Sequence, residues 1–307
     1  RHLTFLGLHG WLHSHLSKGG GTMQRLTYTN DRGGQIVFDN VRPYILSHID
    51  GLGSVDTDVQ KTNSPFQDGS TVYRVVIKDR LITLQGAVMA GSRDEMYTLR
   101  RQLSQILNPK VSGQLIYEND DKVYTIGGIA ESGPIWGERY ANNQLFTASF
   151  LCPDPYLLDE FESSDLIATW IGGIKFPIRF PNRFALRGPR SVNVINNGDV
   201  DSPVRIEIYG PATNPCITNQ STDKYIKVNR ALLSGDKLTI TTHFGNKRVE
   251  IQAPDGSSIN VLHWIDPNST LWSLQTGDNI VVYTSDDPEG IEPFAISINH
   301  RNRYFGA

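Results

Sequence analysis

Histidines are concentrated near the start of the chain, where their spacing suits metal binding. Four of the eight lie there: His2, His9, His13 and His15. His9 and His13 are four residues apart, as two metal ligands on one helical face can be. The same segment ends in Lys18-Gly19-Gly20 shortly before Met23, and the purine-rich bases of a ribosome-binding site can encode such a run. We therefore expect residues 1–22 to be a non-native leader, with Met23 as the true start.

An acidic turn, Asp286-Asp287-Pro288-Glu289, carries carboxylate oxygens that suit a hard cation. Charged turns of this kind are also ordinary solvated loop tips, so both interpretations stay open. The histidines outside the leader have no ligand spacing: His48, His243, His263 and His300. The sequence also lacks a nucleophile elbow, a phosphate-cradling loop and an HExxH pair. We therefore expect a protein that is not an enzyme and that has no cofactor and no metal site.

Trp264 and Trp272 flank a turn in a region with sandwich-like patterning. Tryptophans in such positions stack on sugars in carbohydrate-binding modules, which makes both residues candidates for sugar or partner stacking. Both also lie in apolar segments, where packing in the core is the alternative.

The overall composition excludes two classes of protein. A formal net charge of -3 over 307 residues argues against a protein that grips nucleic acid, because such binding needs clustered Lys and Arg. No run approaches the ~20 apolar residues of a membrane-spanning helix. The two cysteines, Cys152 and Cys216, have no metal-binding or redox spacing. We expect both to be free, partly buried thiols.

The elements that would position these residues begin with paired strands. Residues 25–29 and 35–38 flank the turn at 30–34, which predicts a hairpin. Residues 114–117 and 122–126 form a second predicted pair. Most of the first unit is therefore expected to be antiparallel sheet.

Between these pairs lies a polar segment, residues 50–70, with little periodicity. We expect an extended loop there, and loops of that length are usually functional or mobile. The alternating residues at 73–77 and 82–84 predict two half-buried strands after it. The candidate interaction residues of the loop are Gly51, Gly53, Pro65, Phe66, Asp68 and Gly69.

One helix is predicted in the first unit. Ser92 and Glu95 have the spacing of a capping box, and Asn108-Pro109 ends the helix. Its apolar stripe consists of Met96, Leu99, Leu103, Ile106 and Leu107. Its solvated face carries Arg93, Arg100 and Arg101.

A proline pair, Pro153 and Pro155, ends the strand predicted from the alternation of Phe146, Ala148 and Phe150. We interpret this point as the exit from one β-rich unit into another. A proline-rich loop inside a single domain is the alternative. The first interpretation gives a domain over residues 23–158, a linker and domain entry over 159–190, and a second domain over 191–307.

The second unit is predicted to be a β-sandwich without a helix. Val204, Ile206 and Ile208 alternate with polar residues. Further strands are predicted at residues 225–228, 237–242, 247–251, 259–264, 279–283 and 294–299. Turn signals separate them at sandwich spacing.

A set of turn motifs, taken in order, resembles the distal tail (Dit) or tail-component proteins of long non-contractile-tailed phages and prophages. The motifs are Gly51-Leu52-Gly53, Pro65-Phe66-Gln67-Asp68-Gly69, residues 150–156, Gly172-Gly173-Ile174-Lys175-Phe176-Pro177, residues 196–203 and 206–210, Asn214-Pro215, Asn219, residues 234–238 and residues 274–279. The match runs from Met23 nearly to Ala307, and the leader has no counterpart in the family.

The resemblance implies a mainly β chain whose first domain, an antiparallel or barrel-like sheet with one helix, builds a homohexameric ring at the virion tail tip. That ring would join the tail-tube protein to the tail-associated fibre or lysin. The second domain, a galectin-like or carbohydrate-module-like sandwich, would help hold receptor-binding or adhesion proteins. DNA would cross the channel without specific binding, the protein would not insert in a membrane, and it would be made in the host cytoplasm.

A carbohydrate-binding module of a secreted or surface protein is the alternative, with Trp264 and Trp272 as its platforms. The size of the particle in solution distinguishes the two hypotheses. A hexamer favours the tail hub, and a monomer with affinity for glycans favours the module.

Overall fold

The computed structural model describes residues 24–307 except 54, 67, 169, 172–185, 188–189 and 288–294. The predicted leader with its four histidines and Met23 lies outside the described residues, as do the Gly172–Pro177 motif and Pro288-Glu289. The chain divides into two compact units between Pro155 and Tyr156.

The first unit consists of paired strands and one helix. Its elements are β1 Arg25–Asn30, β2 Gln35–Phe38, β3 Tyr44–Asp50, β4 Thr57–Thr62, β5 Thr71–Ile77, β6 Arg80–Met89, α1 Arg93–Ile106, β7 Ser112–Glu118, β8 Val123–Ala130, β9 Ile135–Tyr140 and β10 Asn143–Cys152. The strands run in the order β2-β1-β7-β8-β10-β6-β3, and β9 pairs with β10. A bridge between Asp39 and Ile45 brings the two ends of this path together, so the sheet is barrel-like, as expected.

The core of the first unit follows from strict alternation along β10. Phe146, Ala148 and Phe150 are buried, and the Phe150 ring lies 4.9 Å from that of Tyr28 between centroids. Both predicted hairpins are confirmed, because β1 pairs with β2 and β7 pairs with β8 in antiparallel register. Cys152 at the end of β10 is a buried free thiol, and burial raises its pKa to about 12.

Helix α1 covers this core as the apolar stripe predicts. Met96, Leu103 and Leu107 are fully buried. The Ser92 hydroxyl accepts a hydrogen bond from the Glu95 N–H at 3.2 Å, which is half of a capping box. The other half is displaced by one residue, since the Glu95 carboxylate accepts from the Gly91 N–H instead.

Two expectations for the first unit are wrong. Residues 50–70 are not a loop, because β4 and β5 pair into a separate two-stranded sheet. β5 is not half-buried either, since Tyr73 and Val75 are 72% and 55% exposed. The causes differ: β4 is mostly polar and exposed throughout, so it shows no alternation, whereas β5 does alternate but its apolar face is left exposed.

The second unit is built of short strands. They are β11 Leu157–Asp159, β12 Ser163–Ala168, β13 Trp170–Ile171, β14 Leu186–Arg187, β15 Ser191–Asn196, β16 Ser202–Tyr209, β17 Ala212–Thr213, β18 Cys216–Asn219, β19 Lys224–Lys227, β20 Ala231–Leu232, β21 Lys237–Thr241, β22 Arg248–Gln252, β23 Ser258–Asn260, β24 Ser273–Leu274, β25 Gly277–Thr284, β26 Ala295–His300 and β27 Arg303–Tyr304. One 3-10 turn spans Leu262–Trp264.

Two of its sheets form the sandwich expected from the sequence. One runs β12-β26-β16-β21-β22-β23 and the other β15-β25-β18-β19. Val204, Ile206 and Ile208 on β16 are buried in the shared apolar core, together with Val281 and Tyr283 on β25. The fold is therefore mainly β, with one long helix in the described part of the chain.

Two boundaries in this unit differ from the predictions. β12 lies inside residues 159–190, which were predicted as linker and domain entry, and it pairs along its length with β26, so the sandwich begins before Ser191. It is an edge strand rich in polar residues, with Leu166 exposed, so it shows little apolar alternation. The predicted strand 259–264 ends at Asn260, because the Asn260 side chain accepts the N–H of Leu262 and diverts the backbone into the 3-10 turn.

We expect Leu103→Ala to lower the free energy of unfolding by about 2–5 kcal/mol, because it leaves a cavity under α1. Gln105→Ala is the matched control, since Gln105 is exposed on the same helix. Urea unfolding of both variants measures the difference. Equal midpoints for the two variants would contradict the packing of α1.

His300 should make stability depend on pH. It is 2% exposed, and burial lowers its pKa from 6.5, although the charge of Asp165 opposes this shift. The unfolded chain binds the proton more readily, so this contribution to stability is intact above about pH 6.5 and is lost progressively below it. Unfolding midpoints of the wild type and His300→Gln between pH 8 and about pH 5 should converge as the pH falls, and parallel curves would exclude this role.

Candidate functional site

The strand pair β4–β5, hereafter the arm, projects two unlike faces. Val59 lies opposite Val75, and Thr57 lies opposite Ile77. Tyr73 follows on the same side of β5, so this face is mainly apolar. Asp58 and Gln60 lie on the other face, opposite Val76 and Arg74, so that face mixes polar and apolar residues. Every residue of β4 is exposed.

The tip of the arm contains the candidate residues Pro65, Phe66, Asp68 and Gly69. Phe66 is fully exposed, at 108% of its reference area, and its φ of 68° lies in the left-handed region. Gly69 also has a positive φ, 85°. A large aromatic ring held in solvent at a strained turn is unfavourable for an isolated chain.

The structure at the base of the arm explains why one of the candidate residues, Gly51, is a glycine. Gly51 has a φ of 87°, and a Cβ there would lie 2.1 Å from the Leu81 carbonyl oxygen. Gly53 has open space around the position of a Cβ, so its side-chain size is not constrained in the same way. Gly51 is therefore required by the fold where the chain enters the arm.

Arg80 fastens this base to the body of the unit. It is 2% exposed, its Nε donates to the Pro155 carbonyl at 2.6 Å, and its guanidinium also donates to the Gly51 carbonyl. Burial lowers the pKa of Arg80, and the nearby Cys152 opposes that shift. A guanidinium keeps its charge in proteins, so this is a buried cation whose hydrogen bonds join two segments.

A second surface, which the sequence analysis missed, lies between α1 and β9. The Arg100 guanidinium lies 4.5 Å from the centroid of the Trp136 ring and 5.5 Å from that of Tyr97. Arg139 donates to the Tyr97 hydroxyl at 2.9 Å. We call these four residues the Arg–aromatic cluster. Arg100 was assigned to a solvated face, which is wrong because it lies half-buried against two rings; only its spacing of three residues from Tyr97 hinted at a contact.

The predicted stacking pair does not form a platform. Trp272 is 1% exposed and belongs to the sandwich core, which contradicts a stacking role for it. Trp264 is half-buried against that core, with the Arg230 guanidinium 5.8 Å from its ring centroid. Packing is therefore the main role that the structure gives both residues.

The described residues contain no group of three or more His, Cys, Asp or Glu side chains placed to hold a metal ion. In the acidic turn, the Asp286 carboxylate accepts from the Asn214 side chain and that of Asp287 accepts from the Thr213 N–H. These carboxylates therefore brace a turn of the second unit. No helix in the described part of the chain is long and apolar enough to span a membrane.

Two family models match the chain. A phage tail protein RIFT-related domain matches residues 31–152, and the C-terminal domain of a siphovirus-type tail component matches residues 197–304. The chain belongs to the siphovirus distal tail (Dit) family. It is a structural component of a phage tail and its baseplate hub.

Solved phage structures share this fold. The Dit protein of phage SPP1, described as a paradigm of the hub adsorption apparatus in phages that infect Gram-positive bacteria, is 14% identical, with a TM-score of 0.65 over 91% of this chain and 98% of that one. A protein of the phage p2 baseplate, in its activated conformation with Sr, is 12% identical, with a TM-score of 0.55 over 94% of this chain and all of that one. The same baseplate with Ca gives 11% identity and a TM-score of 0.52. No curated protein matches the sequence.

Within this family fold, Arg80 is testable directly. Arg80→Met should lower the free energy of unfolding by about 2–5 kcal/mol, because it leaves the Gly51 and Pro155 carbonyls without their charged donor. Lys78→Met is the control, since Lys78 is exposed two residues away. Chemical denaturation measures both. Equal stability of the two variants would show that Arg80 does not fasten the arm.

Proposed function

We propose that this distal tail component forms a homohexameric ring at the tail tip, in which the arm of each protomer packs on the next protomer. The ring joins the tail-tube protein on one side to the tail-associated fibre or lysin on the other. The second unit holds receptor-binding or adhesion proteins outside the ring. The protein is made in the host cytoplasm and assembled into the virion tail.

The observation that carries this proposal is the uncovered apolar face of the arm. Isolated two-stranded hairpins are marginally stable in water. Here Val59, Tyr73 and Val75 are 42%, 72% and 55% exposed on one face. An apolar surface of this kind is typical of a protein-binding element. Burial against another protomer supplies the cover that the arm lacks.

A ring also fits the chemistry of the arm and the charge of the chain. Contacts between two different surfaces of identical protomers close into rings when the rotation between protomers permits it. A formal net charge of -3 suits a channel that DNA crosses without adhering, because each retained phosphate contact would add binding free energy. The ring size of six rests on the family resemblance.

The proposed role is structural and non-catalytic. This role is supported by the polar groups described above, because their hydrogen bonds brace turns and strands of the fold. The alternative carbohydrate-binding module would need exposed aromatic platforms, and Trp272 is buried. Particle size in solution still separates the two hypotheses.

We expect Val59→Asp to weaken assembly by about tenfold or more, because it places a charge in the apolar face that the ring buries. Gln60→Asp is the matched control, since it adds the same charge at the next residue on the opposite face, where Gln60 lies across from Arg74. Sedimentation velocity of protein beginning at Met23, over a micromolar concentration range, measures both variants, with circular dichroism as the check on folding.

Two results would count against the proposal. A wild-type protein that is strictly monomeric and that fails to join tail-tube or fibre protein would rule out the hub function. Equal assembly of Val59→Asp and Gln60→Asp would rule out the apolar face of the arm as the contact.

A further inference from the structure

We infer that the tip of the arm binds the Arg–aromatic cluster of the neighbouring protomer, with Phe66 on the Arg100–Trp136 platform and Asp68 against Arg139. This inference rests on the proposed ring and names the contact that closes it.

The cluster has the composition of a protein-binding surface. Trp, Tyr and Arg are the residues most enriched at positions that dominate binding energy in interfaces. Tyr97 is 45% exposed, Arg139 is exposed, and Arg100 and Trp136 are half-buried. The cluster is therefore aromatic and cationic, and it is partly open to a partner.

Its polar groups favour an anionic and aromatic ligand. The Arg100 Nε is buried without a hydrogen-bond partner, and both guanidinium groups of the cluster contact aromatic side chains. Arg93 and Arg101 lie one helical turn on either side of Tyr97. The carboxylate of Glu138 accepts a hydrogen bond from the Tyr140 hydroxyl, so the nearest acid on β9 is already engaged.

The tip of the arm offers the complementary groups. Phe66 presents a fully exposed ring, which suits stacking beside a guanidinium and an indole. Asp68, two residues on, is exposed and negatively charged. An aromatic anchor beside a carboxylate matches a surface made of aromatic rings and arginines.

The two surfaces are different parts of one chain, so the contact between copies runs head to tail. A head-to-tail contact repeats around an axis and closes a ring when the rotation between protomers permits it, whereas contact of two identical surfaces stops at a dimer. The arm is also long enough to cross between protomers. The six residues of β4 span about 20 Å before the tip begins.

Cysteine cross-linking tests this contact in the full-length protein. In a Cys216→Ser background, Pro65→Cys beside Phe66 and Arg101→Cys, which is exposed one helical turn from Tyr97, should form disulfides between protomers on oxidation. The remaining native thiol, Cys152, is buried. Protein carrying both changes should give a ladder of covalent oligomers on a denaturing gel, up to the full ring.

The direction of the contact is tested by mixing. A mixture of the two single-cysteine proteins should give covalent dimers of one with the other, while each protein alone stays monomeric on the gel. Cross-linking of Pro65→Cys protein to itself would overturn the head-to-tail contact. A ring that is intact by sedimentation but gives no covalent oligomers would show that the tip does not bind the cluster. That result would not contradict the proposed hub function.

A charge exchange tests the pairing of Asp68 with Arg139. Asp68→Arg and Arg139→Asp should each weaken assembly by about tenfold, and the double variant should recover most of that loss. Asp58→Arg is the control, because it makes the same charge change on the arm but away from the tip. Losses in the double variant that simply add, or an equal loss in Asp58→Arg, would overturn the pairing. A wild-type protein that never assembles would instead overturn the hub function on which the contact rests.

Discussion

The first unit depends on one buried cation. Removing a guanidinium from water is costly, and hydrogen bonds to its N–H groups must offset that cost. Arg80 meets this requirement by donating to the carbonyls of Gly51 and Pro155, which lie at the base of the arm and at the end of the unit. The same side chain therefore fixes where the arm leaves the body and where the first unit ends.

The fixed base holds the arm in the position from which it could contact a partner. Gly51 lies where the chain enters the arm. Its positive φ and the closeness of the Leu81 carbonyl oxygen leave no room for a Cβ there. Beyond it, β4 and β5 pair only with each other among the described residues and leave Val59, Tyr73 and Val75 in solvent. A hairpin that is anchored at one end and uncovered along one face is suited to binding another molecule. We propose that a second copy of the chain is that molecule.

Sequence patterns predicted the parts of the fold in which burial alternates. Three of these elements each have one face in a core: β10 with Phe150, α1 with Leu103, and β16 with Val204, Ile206 and Ile208. β4 and β12 escaped prediction because both are rich in polar residues and show little apolar alternation, whereas β5 has the alternation of a half-buried strand but leaves its apolar face exposed. The Arg–aromatic cluster escaped because α1 and β9 are far apart in sequence, and only the fold brings Arg100 onto Trp136.

The central claim is that assembly orders the arm. Hydrogen exchange at the backbone amides of β4 and β5, read by mass spectrometry above and below the concentration at which the protein assembles, measures this directly. The account predicts slow exchange in the assembled protein and fast exchange in the dilute protomer, with the amides of β16 equally protected in both. Fast exchange of the arm in protein that sedimentation shows to be assembled would contradict it.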